Sequence, residues 1–394
     1  MFLATVVMEY DIKEFDEIRP YEEGEMQQAF NDLLNDRQFN AIMRGFAPWL
    51  PKTVRNGLLR LAFMGIKTPL DFQKRFMKPV VRYIIRKHTD GCIFDDSLLQ
   101  TFSRKGETCY TFVSNHRDIV LDSAFLDVKL IDSGYPNTVE IGIGDNLLIY
   151  PWIKRLVRMN KAFTVRRGLT AHEMMRSSQL MSRYIHYAVT RKHENIWIAQ
   201  REGRAKNSDD RTQESVLKML AMGGDLRELN IVPLTISYEF DPCDYLKAQE
   251  LQQRRDNPAF KKSRQDDLDN MRVGILGYKG RVCYRPAVPL NTWIDEIDSS
   301  LPKNEYFTTL ARRVDRAIHR GYELFPSNYV AADLLSPHVE YQSHYTPQDK
   351  ERFEQYLSRQ MAKIMMPGKD EAFLRECILT MYANPLINNL SAQQ

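Results

Sequence analysis

The sequence lacks the features that mark several common classes of protein. It has no uninterrupted run of about 18 apolar residues, so we expect no transmembrane helix. Its five cysteines are scattered and form no C-x-x-C pair, which argues against a disulfide framework and against a zinc site. They are Cys92, Cys109, Cys243, Cys283 and Cys377. A reduced protein of the cytoplasm is therefore the default expectation.

The beginning of the chain also lacks a secretory signal. Residues 1–8 are apolar, but they are too few for the apolar core of a signal peptide and no basic residue precedes them. Glu9 and Asp11 follow directly. We predict no signal peptide, and we expect any contact with a membrane to be peripheral, on its inner face.

Acidic residues are scarce between residues 55 and 87. This stretch holds nine Lys or Arg residues and one acid, Asp71, with apolar side chains at roughly helical spacing between the bases. A helix of this type is suited to an anionic membrane surface. An ordinary surface helix is the alternative, because such helices are amphipathic in any case. No nucleic-acid partner is expected, because no reader motif accompanies the bases.

The pattern along the chain divides it into three regions. Residues 1–88 are mainly helical in character, and residues 291–394 are helical again. Residues 89–290 alternate short apolar runs with longer amphipathic segments, which is typical of an α/β fold. We predict a mixed, mostly parallel sheet with flanking helices. Residues 242–275 are highly charged and are interpreted as a solvated helical insertion.

Six runs rich in Val, Ile, Thr, Tyr and Phe have the length of strands. They are Cys109–Ser114, Val139–Ile143, Ala162–Val165, Asn195–Ala199, Ile231–Tyr238 and Arg281–Tyr284. Beyond them, Thr346 and Pro347 form a good helix start, with a capping hydroxyl and a proline at the first helical position.

His116 follows the first of these runs and precedes a helix-like segment. Sites of α/β proteins lie in such loops, at the carboxyl ends of strands. Histidine is a suitable general base near neutral pH, but it needs an orienting partner. Asp118 and Asp122 are both close and, being four residues apart, are expected on one helix face. We expect Asp118 to cap the helix and Asp122 to hold the imidazole.

Arginines follow two of the later runs. Arg166 and Arg167 come directly after Ala162–Val165, and guanidinium groups suit phosphate because they donate parallel hydrogen bonds. A solvated basic turn is the alternative. Glu202, Gly203 and Arg204 follow the next run, and a glycine there allows close approach of the backbone to a ligand.

The stretches that contain His116, Arg166 and Glu202 are followed by a fourth, Ile231–Tyr238. It is an apolar run that contains Pro233, a residue that fits a central strand only near its start or at a bulge.

In this order, the four stretches resemble the boxes of the glycerolipid acyltransferase family. That family, which includes the glycerol-3-phosphate and 1-acylglycerol-3-phosphate acyltransferases, has a His-x-x-x-x-Asp box, a Phe-x-x-Arg box, a Glu-Gly-x-Arg box and a proline-containing strand. The resemblance covers residues 109–290. It implies an acyltransferase-like fold and transfer of a fatty acyl group, in phospholipid synthesis, from acyl-CoA or acyl carrier protein to a glycerophosphate or lysophospholipid hydroxyl. It implies no metal or redox cofactor.

The resemblance also implies roles for individual residues. His116 matches the base, and Asp122, with Asp118 as the other candidate, matches its partner. The phosphate-binding residues would be Arg166, Arg167, Arg204, Glu202 and Gly203. Two departures from the family occur: five residues instead of four separate His116 from Asp122, and Arg204 directly follows Gly203 where the family has another residue between them.

Other functions compete with this interpretation. An acyltransferase for another lipid acceptor would need the same base, and a non-catalytic lipid-binding protein on the same scaffold would keep the fold without the activity. His116–Asp118 also resembles the catalytic loop of protein kinases. A D-F-G motif and a glycine-rich phosphate loop are missing from the sequence, which argues against a kinase.

Overall fold

A computed structural model of the protein describes residues 10–394, so the predicted absence of a signal peptide at residues 1–8 lies outside the described residues. Its centre is a seven-stranded sheet. The strands are β1 (Gly91–Phe94), β2 (Thr111–Ser114), β3 (Val139–Gly144), β4 (Ala162–Val165), β5 (Asn195–Ala199), β6 (Ile231–Tyr238) and β7 (Arg281–Pro286).

The strand order across the sheet is β1-β7-β6-β2-β5-β3-β4. Only β6 and β7 pair antiparallel, and all other neighbours are parallel. Strands β2 to β6 therefore point the same way, and their last residues meet at one edge, called here the carboxyl edge. The predicted mixed, mostly parallel sheet is confirmed. The sequence pattern missed β1, a four-residue strand in which only Cys92 is buried.

Helices precede and follow the sheet region. The first group is α1 (Glu23–Asn35), α2 (Arg37–Phe46), α3 (Lys52–Phe63), α4 (Pro69–Asp71) and α5 (Lys78–His88), with a π-helical turn at Phe72–Met77. Within the sheet region lie α6 (Ser97–Phe102), α7 (Leu121–Asp132), α8 (Pro151–Met159), α9 (Ala171–Thr190), α10 (Glu214–Leu220), α11 (Asp244–Asp256) and α12 (Arg264–Leu276). The last group is α13 (Lys303–Arg320), α14 (Pro326–Leu335), α15 (Pro347–Ala362) and α16 (Glu371–Gln393).

Short 3-10 helices connect some of these elements. They are Ile12–Phe15, Asp145–Leu147, Leu226–Leu229, Leu290–Thr292, Ile294–Glu296 and Gln342–His344. Across residues 10–394, no helix has both the length and the apolar character needed to cross a bilayer.

Local sequence explains where α15 begins. The Thr346 side chain accepts a hydrogen bond from the backbone N–H of Asp349, and Pro347 occupies the first turn. Proline fits this position because the first N–H groups of a helix have no partner inside the helix. The predicted helix start at Thr346 is confirmed.

The sheet is buried on both faces. Val113, Phe163 and Val314 belong to the cluster on one face, and Phe112 and Phe125 belong to the cluster on the other. All eight residues of β6 are buried, as expected for a central strand covered on both faces.

Pro233 is the third residue of β6. The pairing of β6 with β7 begins at the next residue, Leu234, so the missing N–H of the proline lies at the end of that ladder. Proline is tolerated in a central strand at such a position near the strand start.

The charged segment 242–275 is solvated only in part, because residues 254–259 are exposed but much of α11 is buried. In α11, Asp244, Lys247 and Glu250 are buried. Burial is possible because the charges are paired: Lys247 with Asp241, and Glu250 with Lys206 at 2.9 Å. Through α11 and the end of α12, this segment covers part of the carboxyl edge.

Candidate active site

The turn after β2 begins the candidate site at the carboxyl edge. Asn115, the first residue of this turn, is bonded to β6. Its Oδ1 atom accepts a hydrogen bond from the Ile236 N–H at 2.8 Å, and its Nδ2 atom donates to the Ile236 carbonyl at 2.9 Å. His116 comes next, with 13% of its side chain exposed. The imidazole is therefore placed by a rigid strand end and still reaches the surface.

His116 and Asp122 form a close pair. The imidazole Nδ1 lies 2.8 Å from Asp122 Oδ2, and Asp122 is fully buried in the first turn of α7. The same carboxylate accepts from the Arg117 N–H at 2.7 Å and from the Tyr238 hydroxyl at 3.3 Å. Nε2 of His116 forms no hydrogen bond with any residue that the structure describes. The pair therefore presents one oriented, unshared imidazole nitrogen.

Asp118 has a different position. Because α7 begins at Leu121, Asp118 lies in the preceding turn, and the prediction that both acids share a helix face was wrong. Its Oδ1 atom accepts from the N–H groups of Val120 and Leu121, each at 2.8 Å, so it caps the helix. Burial, with the charge of Asp122 as the next cause, raises the pKa of Asp118. The turn also accommodates the extra residue between His116 and Asp122.

Arg166 and Arg167 follow β4, the outermost strand of the sheet. Strands β5 and β3 lie between β4 and β2, so at about 4.8 Å per strand the two strand ends are roughly 14 Å apart. Arg166 is exposed and pairs with Glu17. The structure thus places Arg166 at the rim and does not bring it beside His116.

Arg167 connects the second and third predicted stretches. Its Nη1 atom lies 2.9 Å from Glu202 Oε1, and its backbone N–H donates to Asp145 Oδ1 at 3.0 Å. Gly203, next to Glu202, has a φ of 67°, in the left-handed region that glycine enters without strain. The segment after β5 is therefore held against the end of β4.

Arg204 lies under α12. It is 6% exposed, and its Nη2 atom donates to Asn270 Oδ1 at 2.6 Å. The helix can approach this closely because residue 274 is glycine: a Cβ atom there would lie 2.2 Å from Asp118 Oδ2. Asn270 thus fixes Arg204 in a buried position.

Four buried N–H groups near these loops have no acceptor among the described residues. They are Arg167 Nε, Gln200 Nε2, Arg201 Nε and Arg204 Nη1. Leaving such a donor without a partner costs about 1–3 kcal/mol, so each of them is unusual in a protein interior. All four belong to the segments after β4 and β5, and an anion with several oxygens would satisfy donors of this kind.

Sequence reasoning missed the groups that support the pair. Tyr238 and Tyr284 both reach α7, and the Tyr284 hydroxyl donates to the Asp122 carbonyl at 2.9 Å. Arg117 is buried although it is charged. Its position directly after His116 was the available signal.

Comparisons with protein-family models and with curated proteins give no match to this chain. Within the described residues, no group of three or more His, Cys, Asp or Glu side chains is arranged to hold a metal ion. What is present is a His–Asp pair and, along the same edge of an α/β sheet, a set of guanidinium groups.

Proposed function

We propose that the protein is an O-acyltransferase that moves a fatty acyl group from a thioester to a hydroxyl of glycerol-3-phosphate or 1-acylglycerol-3-phosphate. The observation that carries the proposal is the 2.8 Å contact between His116 and the buried Asp122, with Nε2 left unshared. A base held in this way is suited to taking a proton from a hydroxyl. The order of the four sequence stretches supplies the acyltransferase class.

The proposed reaction is a direct transfer. Nε2 of His116 takes the proton of the acceptor hydroxyl while the oxygen attacks the thioester carbonyl carbon, and Asp122 stabilises the imidazolium. The carbon–sulfur bond then breaks, and the leaving thiolate receives that proton. The products are an ester and a free thiol, and the histidine returns to its starting form.

The arginines would hold the acceptor phosphate. Arg204 and Arg167 both have unpartnered N–H groups, and both follow strands that end at the same edge as β2. Binding the phosphate there would convert a bimolecular encounter into an aligned one. The rim position of Arg166 suits a first contact with the anion, before it reaches the buried donors.

A thiol-release assay tests the proposal. The protein is incubated with acyl-CoA or acyl carrier protein as donor and with glycerol-3-phosphate, lysophosphatidate or a lysophospholipid as acceptor, and free thiol is measured. We expect release that depends on a phosphate-bearing acceptor. Lack of release with every combination would contradict the proposal and favour a non-catalytic lipid-binding protein on this scaffold. Release with a lysophospholipid alone would indicate another lipid acceptor.

We also propose that α3 rests on an anionic membrane surface. Leu58 and Leu61 are exposed on the outer face of α3, and Trp49 and Met64 flank the helix with 75% and 73% exposure. A helix that is apolar on its outer face needs a covering surface. Residues 37–70 contain six basic residues and no acid, which is complementary to anionic lipid.

Several bases around α3 are free to meet lipid phosphates. Arg44, Lys52 and Lys67 are exposed, and none of them forms an ion pair with another residue in the described part of the chain. Bases beside an exposed apolar stripe are the arrangement of helices that lie in the membrane interface. The acceptor 1-acylglycerol-3-phosphate is itself an amphiphile, so this position would bring the enzyme to its substrate.

Vesicle binding tests this second proposal. We expect the Leu58→Asp/Leu61→Asp variant to lose binding to vesicles that contain phosphatidylglycerol, whereas Met365→Asp, at an exposed apolar residue of the C-terminal region, keeps it. Binding should weaken as salt rises. Equal binding of wild type to pure phosphatidylcholine vesicles, or self-association through α3 without vesicle binding, would contradict the proposal.

A further inference from the structure

We infer that Arg117 and Asp210 form a positioning ion pair that holds His116 and Asp122 at a set distance from the anion-binding segments. The inference rests on the proposed acyl transfer. Arg117 Nη2 lies 2.8 Å from Asp210 Oδ2, and the two side chains are 6% and 0% exposed. Because Arg117 belongs to the turn after β2 and Asp210 to the segment after β5, the pair joins the two halves of the site.

Arg117 also touches the catalytic pair through its backbone. Its N–H donates at 2.7 Å to Asp122 Oδ2, the same oxygen that faces His116 Nδ1. Its Nε atom donates to the Ile236 carbonyl of β6 at 3.4 Å. A displacement of Arg117 would therefore move the carboxylate that orients the base.

The C-terminal region supports the ion pair from the other side. The Tyr322 hydroxyl, just beyond α13, donates to Asp210 Oδ2 at 2.7 Å and accepts from Arg117 Nη2 at 3.3 Å. His319 Nε2 lies 2.7 Å from the Asp210 carbonyl oxygen. The segment after β5 is thus fixed between the His116 turn and α13.

The burial of this pair favours a geometric role. Removing two charges from water costs several kcal/mol per ion, and replacing a buried pair by apolar residues is often neutral or stabilising. Stability alone therefore explains poorly why a fully buried pair occurs directly after the proposed base. An ion pair of defined geometry fixes the spacing of two loops more tightly than apolar contact does.

The test begins with Asp210→Asn, which keeps the side-chain shape and removes the charge. Misplacement of reacting groups by about 1 Å costs about 10²-fold in rate, and we expect kcat to fall by this order. The KM for the acyl donor should change little. Arg117→Lys keeps the charge but loses the planar fork and should give an intermediate loss. Tyr322→Phe should give the smallest loss of kcat.

The control is an ion pair at the opposite edge of the sheet, between the buried Lys161 and the partly buried Glu194. Lys161 Nζ lies 2.7 Å from Glu194 Oε2, near the starts of β4 and β5. We expect Glu194→Gln to lower the melting temperature and to leave kcat unchanged. A purely structural role for Asp210 would make the two variants behave alike.

A second readout does not depend on activity. The Nδ1–H proton of His116 bonded to Asp122 should give a downfield proton NMR signal that is absent in His116→Ala. We expect this signal to be shifted or lost in Asp210→Asn and unchanged in Glu194→Gln. If wild type shows no acyl transfer, the proposed function fails, and this signal still decides the positioning role.

Two outcomes would overturn the inference. One is a folded Asp210→Asn protein with the wild-type kcat and the wild-type His116 signal. The other outcome applies if Asp210→Asn does not fold. In that case, a wild-type kcat and a wild-type His116 signal in both Arg117→Lys and Tyr322→Phe would overturn the inference.

Discussion

The two sides of the carboxyl edge differ in how firmly the protein holds the groups proposed for catalysis. On the β2 side, Asp122 is fully buried and accepts hydrogen bonds from Arg117 and Tyr238 while it contacts His116. On the β4 and β5 side, Arg167 is paired with an exposed glutamate. The base is therefore fixed in advance, whereas an anion would have to compete with the protein's own acids.

This difference has a consequence for substrate binding. Glu202 is 66% exposed and negatively charged like a phosphate, so an incoming acceptor can displace it from Arg167. Arg204 needs no such exchange, because one of its terminal nitrogens has no acceptor. We expect Arg204 to bind the phosphate in the final complex and Arg167 to contribute when Glu202 moves away.

The largest effect is expected on the β2 side. His116→Ala removes the base, and general base catalysis contributes about 10²–10⁴-fold, so acceptor-dependent transfer should fall to near background. The variant should remain folded, because Asp122 still accepts hydrogen bonds from the Arg117 N–H and the Tyr238 hydroxyl. Near-normal turnover in this variant would remove His116 from the mechanism.

The two acids should differ in what their loss affects. Asp122→Asn should lower kcat strongly, because the asparagine amide cannot stabilise the imidazolium as the carboxylate does. Asp118→Asn should leave kcat near the wild-type value and change stability little, because asparagine caps a helix about as well as aspartate does. Turnover and thermal unfolding of both variants give the comparison. A larger loss of kcat in Asp118→Asn would reverse the assignment.

Substitution of the arginines after β4 and β5 should change KM more than kcat. Arg204→Ala removes a buried donor, and hydrogen bonds to charged groups contribute about 1.5–3 kcal/mol, so the KM for glycerol-3-phosphate should rise more than tenfold. Arg166→Ala, at the exposed rim, is the matched control and should change KM far less. Equal KM values in these two variants would show that burial does not distinguish the arginines.

A smaller effect is expected from pH. Burial, followed by the charge of Arg204, lowers the pKa of Lys206 to about 8. Lys206 is therefore charged at pH 7 and largely neutral at pH 9, so phosphate affinity should fall across this range. With water-like screening, a unit charge about 6 Å away contributes about 0.7 kcal/mol, so its loss should weaken binding by about threefold.

Lys206→Met is the control for this pH dependence. It should bind phosphate more weakly at pH 7 and lose the additional decline towards pH 9. Titration calorimetry with inorganic phosphate at the two pH values gives the measurement.

The same depressed pKa has a consequence for stability. The charge on Lys206 destabilises the fold below pH 8, and this cost disappears as pH rises above about 10.4, the pKa of lysine in an unfolded chain.

Much of the β2 side follows from local sequence. The strand at Thr111–Ser114 and the choice of Asp122 over Asp118 depend on residues within a few positions of His116. The error about a shared helix face arose because the helix starts at Leu121, one turn later than the spacing suggests. Helix starts depend on which groups cap them, and Asp118 does so here.

The arrangement of the arginine side depends on contacts that are distant in sequence. The outermost position of β4, which separates Arg166 from His116, is set by the order of strands in the sheet. The burial of Arg204 depends on α12, which approaches because Gly274 leaves room for Asp118. No periodicity in the chain encodes either contact. The charged composition of 242–275 suggested a segment exposed to solvent, not one that packs on Arg204.

The most direct test of the central claim is the transfer of a radiolabelled acyl group from acyl-CoA to glycerol-3-phosphate, compared between wild type and His116→Ala. We predict a labelled ester with wild type, none above background with His116→Ala, and none when glycerol replaces the phosphate-bearing acceptor. Label that stays in the thioester, or that appears as free fatty acid at the same rate in both proteins, would contradict the account.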